Sequence, residues 1–143
     1  MDAPTSSSFD RNRMQLRVVP GELIVARLDP SAPLPDWADP AAPGASAAPI
    51  HAIIRTSEEL TVVSGAVPPH VQPAERDFQA ITITGQLDFS LIGILSGLAE
   101  VLARAGVSIL ALSTFDTDWI LVRGDRLDDA IDALQAAGYQ ISR

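Results

Sequence analysis

The stretch FQAITITGQLDFSLIGILSGLAEVLARAGVSILAL, residues 78–112, decides the fold class. It opens with the two-residue alternation of a half-buried strand, which Gly85 ends. It continues with apolar side chains spaced three and four apart, the pattern of one face of a helix. Asp88 or Ser90 is the expected N-cap of this helix, and Gly106 is its expected end. The apolar run that closes the stretch predicts a second strand.

The remainder of the C-terminal half completes a pattern of alternating elements. Residues 119–122 predict a strand. A second amphipathic helix follows, with Asp125 as its N-cap and Gly138 as its end, and residues 139–141 predict a last strand. From residue 78 the order is strand, helix, strand, strand, helix, strand. With right-handed crossovers this order predicts an α+β protein of the ferredoxin-like βαββαβ plan, a four-stranded antiparallel sheet with both helices on one face.

The N-terminal half predicts strands without long helices. Two strands are expected, residues 16–19 and 23–28, joined by a Pro-Gly turn. Residues 29–49 contain six prolines and seven alanines, a composition that predicts a loop. Within it we expect one helical turn in which Trp37 holds the loop against the core.

An internal echo links the two halves. Residues 53–65 and 111–124 share an apolar strand, a threonine, an acidic turn, a second apolar strand and a glycine, at a spacing near 58 residues. Both segments predict a hairpin. Many hairpins have this pattern, but the spacing indicates that the N-terminal half is a degraded copy of the same unit with shortened helices.

Composition excludes several chemistries. The chain has no cysteine, all ten of its basic residues are arginine, and its net charge is −8. Disulfides, thiol nucleophiles, Schiff-base lysines and phosphate-loop lysines are therefore excluded. Scattered arginines on an acidic chain argue against a nucleic-acid partner. No apolar run reaches the roughly 20 residues of a membrane span, and the first residues lack the form of a secretory signal, so a cytoplasmic protein is expected.

Carboxylates at the predicted turns are the candidate functional residues. Asp116 and Asp118 follow the second strand of the C-terminal half, and Asp88 precedes its first helix. One interpretation makes them turn and cap residues. The other makes them an anchor for the ammonium or guanidinium group of a small ligand. His51 and His70 have no catalytic partner at recognisable spacing, so no catalytic residue, metal or cofactor is expected.

Three segments together resemble an ACT domain: ITGQLDFSLIGIL (residues 83–95), AGVSI (residues 105–109) and LSTFDTDWILV (residues 112–122). More narrowly, the chain is similar to the short tandem-ACT proteins of bacteria. These are similar to the ACT repeats of cytosolic arginine sensors and, more distantly, to those of aspartate kinase.

Residues 1–13 are polar and short of large apolar side chains, which predicts a disordered tail. The resemblance implies that residues 14–77 form a degenerate ACT-like repeat, which includes the loop at residues 29–49. Residues 78–143 form an ACT domain. The fold implied is a tandem repeat of antiparallel sheets with helices on one face.

The function implied is a non-catalytic regulatory module that binds a small ligand, typically an amino acid, at the interface between two ACT units. A homodimer and a possible protein partner are expected with it. Two alternatives stay open: a structural or interaction module that has lost ligand binding, and a small-molecule enzyme. Asp118 is the implied side-chain anchor. The full implied ligand-binding set is Gly85, Gln86, Leu87, Asp88, Phe89, Ser113, Thr114, Phe115 and Asp118.

Overall fold

The computed structural model describes residues 14–42, 48–85 and 92–143 of the chain. The predicted tail at residues 1–13 lies outside this part. The described residues form strands, named β, and α-helices, named α, in this order: β1 (Gln15–Leu28), β2 (Ala52–Arg55), β3 (Leu60–Ser64), β4 (Ala74–Ile83), α1 (Ile94–Arg104), β5 (Ile109–Ser113), β6 (Asp118–Arg123), α2 (Leu127–Ala136) and β7 (Gln140–Ser142).

The chain divides into two compact units, and β1 and β4 contribute residues to both. The first, called here the C-terminal unit, contains the described residues up to Val18 and those from Ala80 onward. The second, called here the N-terminal unit, runs from Val19 to Gln79.

The sheet of the C-terminal unit has the strand order β7-β1-β4-β6-β5. β5 and β6 form an antiparallel hairpin whose register runs from Ile109 opposite Val122 to Ser113 opposite Asp118. β7 pairs in parallel with residues 15–17 at the start of β1. The prediction of four antiparallel strands is therefore wrong in one respect: a strand from the start of the chain lies between β4 and β7. The pattern of apolar residues within a strand does not determine which strands pair with it, so the position of β1 between β4 and β7 could not be predicted from the sequence.

Both helices of the C-terminal unit pack on one face of its sheet, as predicted. Alternate residues of a strand share a face, and the buried residues on one face of β1, β4 and β6 form a single hydrophobic cluster with the buried residues of α1 and α2. The resulting cluster contains Met14, Leu16, Ile81, Ile83, Ile94, Leu98, Leu102, Val107, Ile120, Val122, Leu127, Ala130, Ile131, Leu134 and Tyr139.

The predicted helix starts are wrong, whereas the predicted ends are confirmed. The N-cap of α1 is Gly93, whose φ of 84° is left-handed, and it makes no side-chain cap hydrogen bond. Asp88 and Ser90 lie outside the described residues. Asp125 lies within a 3-10 turn, Gly124–Arg126, that precedes α2.

Both helices end at a glycine whose conformation other residues rarely adopt. Gly106 and Gly138 have φ values of 72° and 96°. Helices commonly end with a residue in this left-handed conformation, which glycine adopts without steric strain.

The N-terminal unit has the strand order β2-β3-β1-β4. The predicted hairpin is confirmed, because β2 and β3 pair antiparallel from Ala52 opposite Val63 to Arg55 opposite Leu60. The expectation of two short strands joined by a Pro-Gly turn is wrong. β1 is one strand of 14 residues, and it continues through Gly21, whose φ is 111°. Residues 15–28 pair with neighbouring strands along their length, and this pairing favours one extended strand over a local turn at Pro20-Gly21.

Loops cover one face of the N-terminal sheet. Trp37 lies in a 3-10 turn, Asp36–Ala38, and packs against the buried side chains of β1 and β3, which confirms its predicted role. The guanidinium of Arg76 donates to the carbonyl oxygens of Val67 at 3.1 Å and Pro68 at 2.8 Å. Arg76 therefore fixes the loop that joins β3 to β4. No helix in the described part of the chain is long and apolar enough to cross a membrane.

Candidate functional site

The turn of residues 114–117 joins β5 to β6 and is built around two threonines. The Thr114 N–H donates to the Thr117 carbonyl oxygen at 2.8 Å, and the Thr114 hydroxyl donates to the same oxygen at 3.1 Å. The Thr117 N–H donates to Thr114 Oγ1 at 3.3 Å. A threonine hydroxyl that bonds to the backbone in this way stabilises a tight turn. The tip of the turn carries Phe115, a residue that is 79% exposed.

Ser113 and Asp118 face each other at the base of this turn. They are the last register pair of the hairpin, and the Ser113 hydroxyl donates to Asp118 Oδ1 at 2.6 Å. Asp118 shares a face of β6 with Ile120 and Val122, which belong to the core under the helices. The carboxylate of Asp118 therefore lies on the helix-bearing face, at the end of the core, and the residue is half-buried.

Two hydrogen bonds fix the start of β6 to the end of β4. The Thr117 hydroxyl donates to the carbonyl oxygen of Ile83 at 2.9 Å, and the hydroxyl of buried Thr82 donates to the carbonyl oxygen of Asp118 at 2.9 Å. The turn therefore lies at the same end of the sheet as Gly85, which follows Ile83 by two residues. The sequence alone did not predict whether the connection after β4 and the turn of residues 114–117 lie at the same end of the sheet.

Gly85 has a backbone conformation that other residues rarely adopt. Its φ is 93°, and a Cβ built there meets nothing within 4 Å. Steric crowding therefore does not require glycine at this position, whereas the left-handed backbone does. The chain leaves β4 through this residue.

The structure brings five of the predicted site residues to one end of the C-terminal unit: Gly85, Ser113, Thr114, Phe115 and Asp118. The other four, Gln86, Leu87, Asp88 and Phe89, lie outside the described residues. The sequence interpretation missed Thr82 and Thr117, whose hydroxyls join the two halves of the site. No local signal marks the Thr117 hydroxyl, because its partner, the carbonyl oxygen of Ile83, lies 34 residues away in the sequence.

The arrangement provides a carboxylate, hydroxyls and an apolar side chain at one end of a sheet. Such groups can hold a small cationic or amino-bearing molecule through charge-assisted hydrogen bonds. Across the described residues, no three histidine, aspartate or glutamate side chains are grouped as ligands for a metal ion.

We expect Thr117→Val to destabilise the protein by about 1–2 kcal/mol, because it leaves the carbonyl oxygen of Ile83 without its donor. Valine keeps the shape of the side chain, so the lost hydroxyl is the main change. Thr117→Ser is the matched control, since it retains the donor. Urea titration of both variants measures the difference, and equal stabilities would show that the bond to β4 contributes nothing.

Comparison with known proteins identifies the family. The model of the ACT domain matches residues 74–136. The crystal structure of protein Atu0741 from Agobacterium tumefaciens is similar over nearly its whole length, with a TM-score of 0.79 and 30% sequence identity. The match covers 91% of this chain and 92% of that one. Residues 74–136 of this chain belong to the ACT domain family. No curated protein has a significant sequence match to it.

Two further solved structures share the fold of this ACT-domain chain at lower identity. A protein of unknown function from Vibrio cholerae, VC0802, described as a possible transport protein, has a TM-score of 0.65 and 22% identity over 89% of this chain and 91% of its own. Aspartate kinase from Clostridium acetobutylicum has a TM-score of 0.60 and 10% identity over 87% of this chain. The match covers 34% of that enzyme, and at these identities both likenesses concern the fold alone.

Proposed function

We propose that this ACT-domain chain is a non-catalytic regulatory module that binds an amino acid at the end of its C-terminal unit. The observation that carries the proposal is the position of Asp118. Its carboxylate is oriented by the Ser113 hydroxyl and lies at the same end of the sheet as Gly85. ACT domains typically bind regulatory ligands, and the carboxylate suits the amino group of such a ligand.

The remaining parts of the proposed site rest on the family resemblance. Gln86, Leu87, Asp88 and Phe89 complete the ligand contacts in this proposal, and a second ACT unit forms the other wall. The protein acts in the cytoplasm as a homodimer and passes its signal to a protein partner. Sedimentation equilibrium that returns only the 15.1 kDa monomer would contradict the dimer. Co-purification that recovers no partner, with or without ligand, would contradict the signalling role.

We also propose that the N-terminal unit is a degenerate second copy of the ACT unit. Its hairpin turn repeats the C-terminal one: the Thr56 N–H donates to the Glu59 carbonyl oxygen at 2.9 Å, and the Glu59 N–H donates to Thr56 Oγ1 at 3.1 Å. Thr56 and Thr114 are 58 residues apart, the spacing of the sequence echo. Each turn has four residues between its last register pair.

The binding test is a thermal-shift screen over the twenty amino acids. A ligand present at 100 times its Kd adds about 2.7 kcal/mol to the free energy of unfolding, which raises the Tm by several degrees. We expect Asp118→Asn to weaken binding about 10- to 100-fold, because it removes the charge from the anchor. Asp116→Asn is the matched control: it makes the same change of charge in the same turn, and we expect it to leave the shift intact.

The outcomes of the screen separate the candidate functions. A shift that depends on Asp118 and not on Asp116 supports amino-acid sensing. A folded protein whose Tm responds to none of the twenty amino acids contradicts it and favours the alternative, an interaction module that has lost ligand binding.

A further inference from the structure

A compact turn follows β1 in the N-terminal unit. The Ala32 N–H donates to the Asp29 carbonyl oxygen at 3.0 Å, and the N–H and hydroxyl of Ser31 donate to Asp29 Oδ1 at 2.9 and 2.6 Å. The bond from the Ser31 hydroxyl, followed by that from its N–H, lowers the pKa of the Asp29 carboxyl. The donors of the turn are thus directed to Asp29, and Pro30 has no N–H to offer.

The carbonyl oxygens of this turn accept the side chain of Arg55. Its Nη1 donates to the carbonyl oxygen of Pro30, and its Nη2 donates to that of Ala32 at 2.8 Å. Arg55 is the last residue of β2 and directly precedes the Thr56 turn. Its guanidinium therefore joins two segments, the hairpin and the connection that follows the first strand of the unit. A planar fork of donors suits two neighbouring carbonyls better than an ammonium does.

These two segments correspond to the segments that hold the ligand in the proposed function. In the C-terminal unit the connection after β4 begins at Gly85, and the hairpin contributes Ser113 and Asp118. At the spacing of 58 residues, Arg55 corresponds to Ser113 and Leu60 to Asp118. The N-terminal copy thus has a long cation in place of a short hydroxyl, and an apolar residue in place of the carboxylate.

We propose that the turn of Asp29–Ala32 is a latent binding site for a guanidinium-type cation, and that Arg55 occupies it as a built-in ligand. The description of this site as the counterpart of the C-terminal one rests on the proposed function. The binding of the Arg55 guanidinium to the turn rests on the two hydrogen bonds alone. The consequence is that the chain itself fills the N-terminal counterpart of the proposed ligand position. Shortening Arg55 opens a second, which accepts planar cations with two parallel donors.

The test uses the full chain and methylguanidinium as the probe. We expect Arg55→Ala to lower the Tm by about 2–4 °C, because two hydrogen bonds are lost. Arg55 is exposed, so a small solute can reach the emptied turn. Methylguanidinium chloride at 20 mM should then raise the Tm of Arg55→Ala by about 2 °C relative to equal concentrations of methylammonium chloride and sodium chloride. The wild-type chain should show no such difference.

Arg104→Ala is the matched control, since Arg104 is 79% exposed in its side chain and bonds to Glu100 on the same helix. A response to methylguanidinium that is equal in Arg104→Ala and Arg55→Ala would overturn the proposal, as would no response in Arg55→Ala. If Arg55→Ala fails to fold, Arg55→Gln serves in its place with the same expected response.

A double variant separates this proposal from the proposed function. Arg55→Ala with Asp118→Asn should keep the response to methylguanidinium, because the probe binds at the N-terminal turn. Loss of that response in the double variant would place the probe at Asp118 and overturn the latent site. Failure of every amino acid to shift the wild-type Tm would contradict amino-acid sensing and leave the result at Arg55 unchanged.

Discussion

A fragment of residues 78–143 is expected not to fold as a monomer, although it spans the whole predicted ACT domain. It lacks Met14, which precedes β1, and Leu16 at the start of β1, and both belong to the core of the C-terminal unit. It also lacks the strand with which β7 pairs. Leu16 is 2% exposed in the intact chain. A small domain has a net free energy of unfolding of only about 5–15 kcal/mol. The loss of two buried apolar side chains and of a strand inside the sheet is expected to exceed this margin.

Circular dichroism and urea titration of the fragment measure this effect. A cooperative unfolding transition of the monomeric fragment at any urea concentration would contradict it. A pair of variants in the full chain gives an independent check: Leu16→Asp places a carboxylate in the core, whereas Arg17→Asp places one at the exposed neighbour. We expect the first to unfold the C-terminal unit and the second to change the free energy of unfolding by less than about 1 kcal/mol.

Leu98→Ala is expected to lower the free energy of unfolding by about 2–5 kcal/mol. Leu98 is fully buried on α1 and lies in the cluster that joins both helices to the sheet. Truncation removes three carbons from this cluster and leaves a cavity, because tightly packed neighbours relax only in part. The loss is a substantial fraction of the stability of a domain of this size.

The matched control for Leu98→Ala is Glu100→Ala on the exposed face of the same helix. Glu100 bonds to Arg104 at 2.7 Å, and an exposed pair of this kind contributes about 0.3–0.5 kcal/mol. Urea titration of both variants gives the two free energies. If Leu98→Ala costs no more than Glu100→Ala, the packing of α1 against the sheet is not what stabilises the C-terminal unit.

Helix ends and helix starts show why some local features can be predicted and others cannot. Gly106 and Gly138 end their helices as expected, because a left-handed residue after a helix is a local property that glycine favours. Asp125 looks like an N-cap but lies in a 3-10 turn. A capping side chain stabilises a helix start by only about 1 kcal/mol, so the path of the chain between packed elements can override it.

The candidate site shows the same division between local and long-range information. The Thr114 turn and the Ser113–Asp118 pair lie within six residues, so the alternation of the hairpin brings them together. The bond from Thr117 to Ile83 spans 34 residues and depends on β4 being the neighbour of β6. Arg55 and its carbonyl partners are 25 and 23 residues apart. No pattern in the sequence marks the guanidinium as the group that holds the loop.

Residues near one another in the chain were enough to predict the order of strands and helices in the C-terminal half, the side on which both helices pack, and the hairpins at residues 53–65 and 111–124. These features depend on the periodicity of side chains and on turn chemistry, which act over a few residues. Three features are decided only by the tertiary structure: the single strand from Gln15 to Leu28, its place between β4 and β7, and the position of Gly85 at the same end of the sheet as Asp118. They depend on which strands pair, and partners are chosen by the burial of whole faces across long separations in sequence.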